Sequence, residues 1–424
     1  MPAGNLLTAA ALLFTGCSFS QMKHFADTLN LRFFNSATYN KIQGDLFKVV
    51  NEAWLLEREK VQKEVENKML WLAGDGRCDS PGFSAKYGTY TLLDQETGKI
   101  VDFDVIHVNE VNNKSTNMEK EGMKRSLERV ISKASVCVLA TDRHVQIGYS
   151  LRTEFPEITH QYDVWHVSKS ISKKLNAKSK IKGCEDLKMW IQAIINHFWW
   201  SVSTCNGNPD LLKEKWISVI HHCVDIHSWN SCDLFHACAH APIPPEVSKN
   251  KQWLKRLSKC HEQLKVVVLD KFLLRSLEKL TLFCHTGELE VYHSMMLKYC
   301  PKKQHFSYEG MVARTQLAAL DHNNGTERDQ AVVQKGERAG ELMYKQVFPK
   351  CSKRWVLKPI YVKKNFNFRK DLMSRTVEVR KEKIALPAIQ KPNLPKNIAT
   401  APKPSRDEAI ESHRSRMTAA HKDV

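Results

Sequence analysis

The sequence predicts an α/β protein. Its core is a mixed β-sheet, interrupted by a helical insertion and preceded by an N-terminal helical region. Three observations predict this. Short apolar runs and period-two alternation recur between residues 69 and 167. From 183 to 285 the spacing turns helical, with Trp190, Trp199, Trp200, Trp216, Trp229 and Trp253 interspersed. Asp75 and Asp142 each end an apolar run, MLWLAGD and VCVLATD, while Glu290 stands far downstream in TGELEVYHSMMLKY.

Residues 1–68 read as helical, and Gln43 to Asn67 carries apolar residues at helical spacing. MPAGNLLTAAALLFTGC looks like a short secretory or lipoprotein leader, but no Lys or Arg precedes Lys23. Amphipathic sequence follows it, so 5–15 is read as a buried helix. Met69–Gly74 is an apolar strand, and the Ser-Pro pair and Gly82 after it mark a loop. Tyr87–Leu93 is the second strand, Gln95-Glu-Thr-Gly98 a turn, and Ile100–Val108 a strictly alternating third strand. A helix is expected over 116–132, a buried strand at Ser135–Thr141, a helix at 144–154 and a strand at Thr159–Val167. That order is the order of an RNase H-like core. It places Asp75 on the first strand and Asp142 at the end of the fourth, its neighbour in such a sheet.

The expected organisation is a helical region at 1–68 and the first part of the core at 69–182. An insertion at 183–285 precedes the rest of the core at 286–325. A basic region at 326–385 and a Pro- and Lys-rich disordered tail at 386–424 complete it. Another helix is expected at 310–322.

The net charge is +18, and residues 350–424 hold 19 Lys/Arg against 7 Asp/Glu. SKSISKKLNAKSKIK at 168–182 adds six lysines. Such blocks predict polyanion binding, because neutralised phosphates release counterions. A solvated tail is the plainer alternative. No run of 18 apolar residues exists, so no membrane span is expected. Twelve cysteines in 424 residues are too dilute for a disulfide scaffold.

Three converging carboxylates are the ligand set for two divalent cations in nucleotidyl transfer. Each position has a competitor. Asp75 is followed by Gly76, which opens the backbone to a ligand, or the pair is an ordinary turn. Asp79 rivals it on the same strand face. Asp142 ends a strand where α/β ligands bind, or it caps the next helix. Glu290 and Glu288 flank an apolar stripe of Leu289, Tyr292, Met296 and Tyr299, with Thr286 as a plausible N-cap. His166, placed at the end of the fifth strand, is either a contact to metal-bound carboxylate or phosphate, or a sheet-edge histidine. In HHCVDIHSWNSCDLFHACAH (221–240), eight of twenty residues are His or Cys. His222, His227, Cys238 and His240 supply four N/S ligands for a structural Zn2+, or they pack in a Trp-rich core.

WLAGDGRCDSPGFSAKYGTYTLLDQETGKIVDF, LATDRHVQI, FPEITHQYDVWHVSKSI and HTGELEVYHSMMLKYCPK together resemble DDE cut-and-paste DNA transposases of the Kolobok group, and more loosely Mutator-like elements. The resemblance covers about 70–325. It implies Asp75, Asp142 and Glu290 as catalytic ligands of Mg2+ or Mn2+, favouring Asp75 over Asp79 and Glu290 over Glu288. It implies supporting roles for Asp79, Arg143, Asp163, His166 and His293. The Mutator-like Cys-x-x-His here reads Asp163-Val-Trp-His166, and His293 stands where those elements carry Asn. Lys169, Lys173 and Lys174 would meet DNA backbone. Double-stranded DNA is the implied partner, as transposon terminal repeats and target, with a homo-oligomer and a nuclear location. No THAP-type Cys/His pattern precedes Asp75; Cys17 is the sole cysteine there. The competing expectation is a domesticated, catalytically inactive DNA- or protein-binding factor.

Overall fold

The computed structural model of the chain describes residues 2–81, 84–350, 353–395 and 401–413. Three helices open it: α1 (Ala3–Thr15), α2 (Phe19–Thr28) and α3 (Ser36–Val65). α1 buries Ala9, Ala10, Leu12, Leu13 and Phe14, so the leader-like run packs as a core helix. Asn35 caps α3 by accepting the Thr38 N–H at 2.9 Å.

The strands β1 (Met69–Cys78), β2 (Tyr87–Asp94) and β3 (Ile100–His107) form an antiparallel meander. Helix α4 (Met118–Ile131) leads to β4 (Ser135–Thr141), and α5 (Val145–Glu154) to β5 (Thr159–Tyr162). β1, β4 and β5 run parallel, giving a mixed sheet of order β3-β2-β1-β4-β5. The apolar runs of β1 and β4 are apolar because both strands are central and covered on both faces.

Two strand boundaries differ from expectation. β1 does not stop at Gly74 but continues to Cys78, so Asp75 lies inside the strand, opposite Thr91. β5 ends at Tyr162 instead of Val167. Asp163 accepts the Trp165 N–H at 2.6 Å and starts helix α6 (Val164–Lys178), which moves His166 from a strand to a first helical turn.

The insertion holds α7 (Leu187–Ser203), α8 (Pro209–Ile217), α9 (Val219–His222), α10 (Pro245–Asn250), α11 (Lys259–Val268) and α12 (Lys271–Leu277). With α6 it surrounds its own core of Trp216, Phe198, Ile194 and Leu264. It is not wholly helical: between Cys223 and Ser258, α10 is the sole helix among the described residues. Pro242, Pro244 and Pro245 lack the N–H a helix needs, and Ser, Asn and Asp crowd 225–233.

The chain then returns through α13 (Gly287–Met296) and α14 (Tyr308–Asn323). α4 packs Met123, Leu127 and Val130 on one sheet face, over Leu70, Leu72, Tyr90 and Leu92. The other face carries Ala73, Leu93 and Phe103 against α1, α3, α13 and α14. The stripe Leu289, Tyr292, Met296 and Tyr299 is fully buried there.

The basic C-terminal region contains a hairpin, β6 (Tyr344–Val347) with β7 (Val356–Pro359), then α15 (Asn367–Glu382) and α16 (Arg406–Glu411). α15 docks Phe368 and Leu372 in the core beside α3, and Arg375 binds Glu52 through two bonds of 2.7 and 2.8 Å. The expected disordered tail is corrected at its start. Ile389 is buried in that core, and the Asn51 amide donates to the Pro387 carbonyl at 3.2 Å. Ile389, the partly buried Leu386 and the Pro387 carbonyl anchor a segment whose composition alone reads as unstructured. Residues 396–400 and 414–424 of that expected tail, and Gly82 of the expected loop, lie outside the described residues. Among the described residues no helix is long and apolar enough to cross a membrane.

Gly74 is required by close packing: a Cβ there would fall on the Tyr90 hydroxyl, which is fully buried. Gly74→Ala is expected to cost about 1–3 kcal/mol by overpacking. A thermal melt of the variant showing no loss would refute that reading.

Candidate functional site

The parallel pairing of β1 with β4 sets Ala73 beside Ala140. Two residues further along both chains, the same register brings Asp75 level with Asp142 on one face. Asp142 directly follows β4, where the chain leaves the sheet for α5. Glu290 arrives from α13, in the first turn after the Thr286 corner.

Two histidines link α13 to its neighbours, one to β1 and one to α6. His293, one turn beyond Glu290, places Nδ1 3.4 Å from Asp75 Oδ2. His166 on α6 places Nε2 3.8 Å from Glu290 Oε1 and Nδ1 3.1 Å from Asp163 Oδ2. Asp163 in turn accepts from the Thr286 N–H at 3.2 Å and from the Thr286 hydroxyl. Thr286 therefore does not cap α13 with its side chain, as its position suggested; it spends its hydroxyl on Asp163. Burial opposes ionisation of Asp163, but hydrogen bonds from His166, Thr286 and the Trp165 N–H pull it down to about 2. The Asp163 hydrogen bond outweighs burial and raises His166, with Asp142 and Asp75 adding attraction.

A fourth carboxylate belongs to the group. Glu119, in the first turn of α4, lies where a Gly76 side chain would go: a Cβ there would meet Glu119 Cγ at 2.5 Å. Gly76 thus makes room for Glu119. Burial, then Asp142 and Asp75, push Glu119 up to about 8. Asp142 is raised by burial first and Asp75 second. Acidic residues in a first helical turn are common, since they complement the helix dipole, so Glu119 carries no signal of its own in the sequence.

The fit to a divalent cation rests on charge and on orphaned atoms. Like charges crowd a half-buried corner, where Asp142 and Asp75 add to the burial that raises Glu119 and Asp75 adds to the burial that raises Asp142, and a cation relieves that repulsion. Among the described residues, buried Asp142 Oδ1 has no hydrogen-bond partner, nor do His293 Nε2 and Tyr90 Oη. Oxygen donors of this kind suit Mg2+ or Mn2+. The acids are not drawn as tight as His222, His227, Cys238 and His240, whose ligand atoms all lie within 4.8 Å of one another.

Other expected residues fall elsewhere. Asp79 is buried away from the acids, accepting the Lys86 N–H at 3.0 Å to brace the turn into β2. The strand's two-residue period put it on the Asp75 face, but β1 ends at Cys78 before it. Glu288 points to the Gly98 turn at the far side of its helix. Arg143 is exposed beside Tyr162. Lys169 lies over the Trp165 ring at 4.4 Å and Lys173 is exposed. Lys174 is also exposed and pairs with Asp270 at 3.0 Å, which offsets its charge.

Glu119 yields a pH prediction. Its folded-state value is raised, so its contribution to stability is full below about 4.5 and is lost as pH rises through about 8. Stability of the cation-free protein is expected to fall from pH 5 to 8, and Glu119→Gln to flatten that slope. Denaturant titrations at several pH values check it; an unchanged slope in the variant refutes it.

Together these elements define a class: an α/β protein with a mixed five-stranded sheet, bearing a cluster of carboxylates and histidines where β1 and β4 lie side by side. No family model matches the chain, and no curated protein matches it.

Proposed function

We propose that the chain is a DDE transposase-like nucleotidyl transferase, cutting DNA at element ends and joining the freed 3′ end to a target. An RNase H-like core is part of this reading. The sheet order supports it, with three antiparallel strands followed by two parallel ones. The observation that carries the proposal is the register of β1 and β4, which levels Asp75 with Asp142, with His293 of α13 beside Asp75 and Glu290, one turn earlier on that helix, beside His166.

Mg2+ or Mn2+ held by Asp75, Asp142 and Glu290 would supply activation of the attacking oxygen and neutralisation of the leaving one. The chain's own groups orient that chemistry. The Asp163 hydrogen bond favours the protonated form of His166, whose Nε2 lies 3.8 Å from Glu290 and would hold that carboxylate on the side of α6. His293 holds Asp75 from the other side. Trp165, Lys169 and Lys173 form an exposed aromatic and basic edge on α6 beside the acids, suited to DNA backbone. Double-stranded DNA as partner, an oligomeric assembly and a nuclear location follow from the same reading.

The test is cleavage of labelled DNA carrying the terminal repeats that flank the coding sequence, with Mg2+ or Mn2+. Cutting that needs the metal supports the proposal. DNA bound but never cut would overturn it in favour of a non-catalytic binding factor.

A further inference from the structure

The stretch from His222 to His240 is a loop closed on itself, and it gathers four side chains from three places. His222 ends α9. His227 and Cys238 stand at the two sides of an isolated antiparallel bridge, Ser228 with Ala237, where the Cys238 N–H donates to the His227 carbonyl at 2.9 Å. His240 follows two residues later. Three of the four are partly buried and His240 is exposed.

The hydrogen bonds on the outer ring nitrogens decide what faces inward. His227 Nε2 lies 3.0 Å from Asp225 Oδ1, and a carboxylate accepts, so the proton is on Nε2. That leaves Nδ1 a lone pair, and Nδ1 is buried with no partner. His240 Nδ1 donates to the Ala241 carbonyl at 2.7 Å, leaving Nε2 a lone pair 3.4 Å from His222 Nδ1. The Cys238 sulfur is 3.5 Å from the same His222 nitrogen. Lone pairs from two imidazoles therefore converge with the sulfur on one point. Without a cation, only a proton on His222 Nδ1 or on the Cys238 thiol bridges these atoms, and the buried His227 Nδ1 is left without a partner.

The spacing and the donor set together fit zinc. Zinc bonds of about 2.0–2.1 Å to nitrogen and 2.3 Å to sulfur, set tetrahedrally, separate ligand atoms by about 3.4 Å for N–N and about 3.5 Å for N–S. The His240–His222 nitrogen pair at 3.4 Å and the Cys238–His222 pair at 3.5 Å have those separations, and all four ligand atoms lie within 4.8 Å of one another. One thiolate and three imidazoles are too soft a set for Mg2+ or Ca2+. The Asp225–His227 bond is the outer carboxylate that orients a zinc-bound histidine.

We propose that His222, His227, Cys238 and His240 bind one Zn2+ through Nδ1, Nδ1, Sγ and Nε2. The site is structural. Four protein ligands complete the tetrahedron and leave no position for water or substrate. Binding displaces the Cys238 thiol proton to solvent and fastens the loop to the end of α9. Few other bonds do so: Glu214 on α8 accepts the N–H groups of Asp233, Leu234 and Phe235, and Trp229 stacks on His221 at 5.1 Å. This metal is separate from the one proposed at the acids, and its presence does not depend on DNA cleavage.

The test is metal analysis of the full chain purified without chelator, followed by exchange of the metal for Co2+. One zinc per chain is expected, together with a tetrahedral cobalt spectrum showing thiolate-to-cobalt charge transfer. Cys238→Ser should lose that charge-transfer band, while Cys232→Ser, in the same loop but outside the quartet, should keep it. A zinc chelator should lower the melting temperature of wild type. Wild-type chain without zinc overturns the proposal, as does a cobalt spectrum without the thiolate band or a band that survives Cys238→Ser. The wild-type measurements decide the matter even if Cys238→Ser fails to fold.

Discussion

Asp142→Asn is expected to reduce metal-dependent strand cleavage by about 10³-fold or more, the scale set by losing one electrostatic stabiliser of a transition state. DNA affinity should stay nearly intact. Asparagine keeps the shape of the side chain and removes its charge. Burial and then Asp75 raise the Asp142 pKa, so its ionised form costs stability at neutral pH. The neutral variant should therefore melt at the same temperature or higher in metal-free buffer. Stabilisation by added Mg2+ or Mn2+ should shrink, because a ligand has gone. Cleavage, binding and melting measured on the same preparation separate the roles. Lost binding with retained cleavage would sink the assignment, and a large drop in melting temperature would make Asp142 a packing residue.

Asp163→Ala is expected to destabilise the fold by about 3–5 kcal/mol, the cost of breaking a buried charge network from one side. It should also cut cleavage by freeing the helix of the third acid. Asp163 is buried and caps α6, holds His166 and binds the Thr286 corner from which α13 begins. The same contacts give a pH signature. Asp163 is depressed to about 2, so its contribution is full above the unfolded value of about 3.9 and is lost as pH falls through about 2. His166 is raised, so its contribution is full below about 6.5 and is lost as pH rises through its folded value. The bond is thus worth most between about pH 4 and 6.5. Asp163→Asn should keep much of the Thr286 contact, because an amide oxygen still accepts, but lose the pH dependence near neutrality. Denaturant unfolding across pH checks both variants; parallel curves for wild type and Asp163→Asn would refute the role.

Much of the core was legible because strand and helix periods are local properties. The alternation of Ile100–Val108 and the apolar runs before Asp75 and Asp142 follow from burial on one or both sheet faces, and they placed the five strands to within a few residues. The buried stripe on α13 was legible for the same reason. What failed was also local in cause. The His/Cys stretch read as helix because it lies within a long region of helical pattern, yet prolines and turn formers govern it. Helix α15 was missed because its exposed face is rich in Lys and Arg, and a composition shift outweighed the few apolar anchors that dock it.

Residue types and their order determined by themselves the α/β class, the position of Asp142 after its strand and of Glu290 in the first turn of its helix, and the four close-set N/S side chains between 222 and 240. Tertiary structure alone decided which acids share a corner. It set Asp75 level with Asp142 through the β1–β4 register, turned Asp79 away into a backbone bond, and put Glu290 within 3.8 Å of His166 while Glu288 faces the Gly98 turn. It also brought in Glu119, which no motif marks. The physical reason is range. Periodicity and capping act over a few residues, whereas the charge felt by a carboxylate depends on groups that only the folded chain brings within a few ångströms.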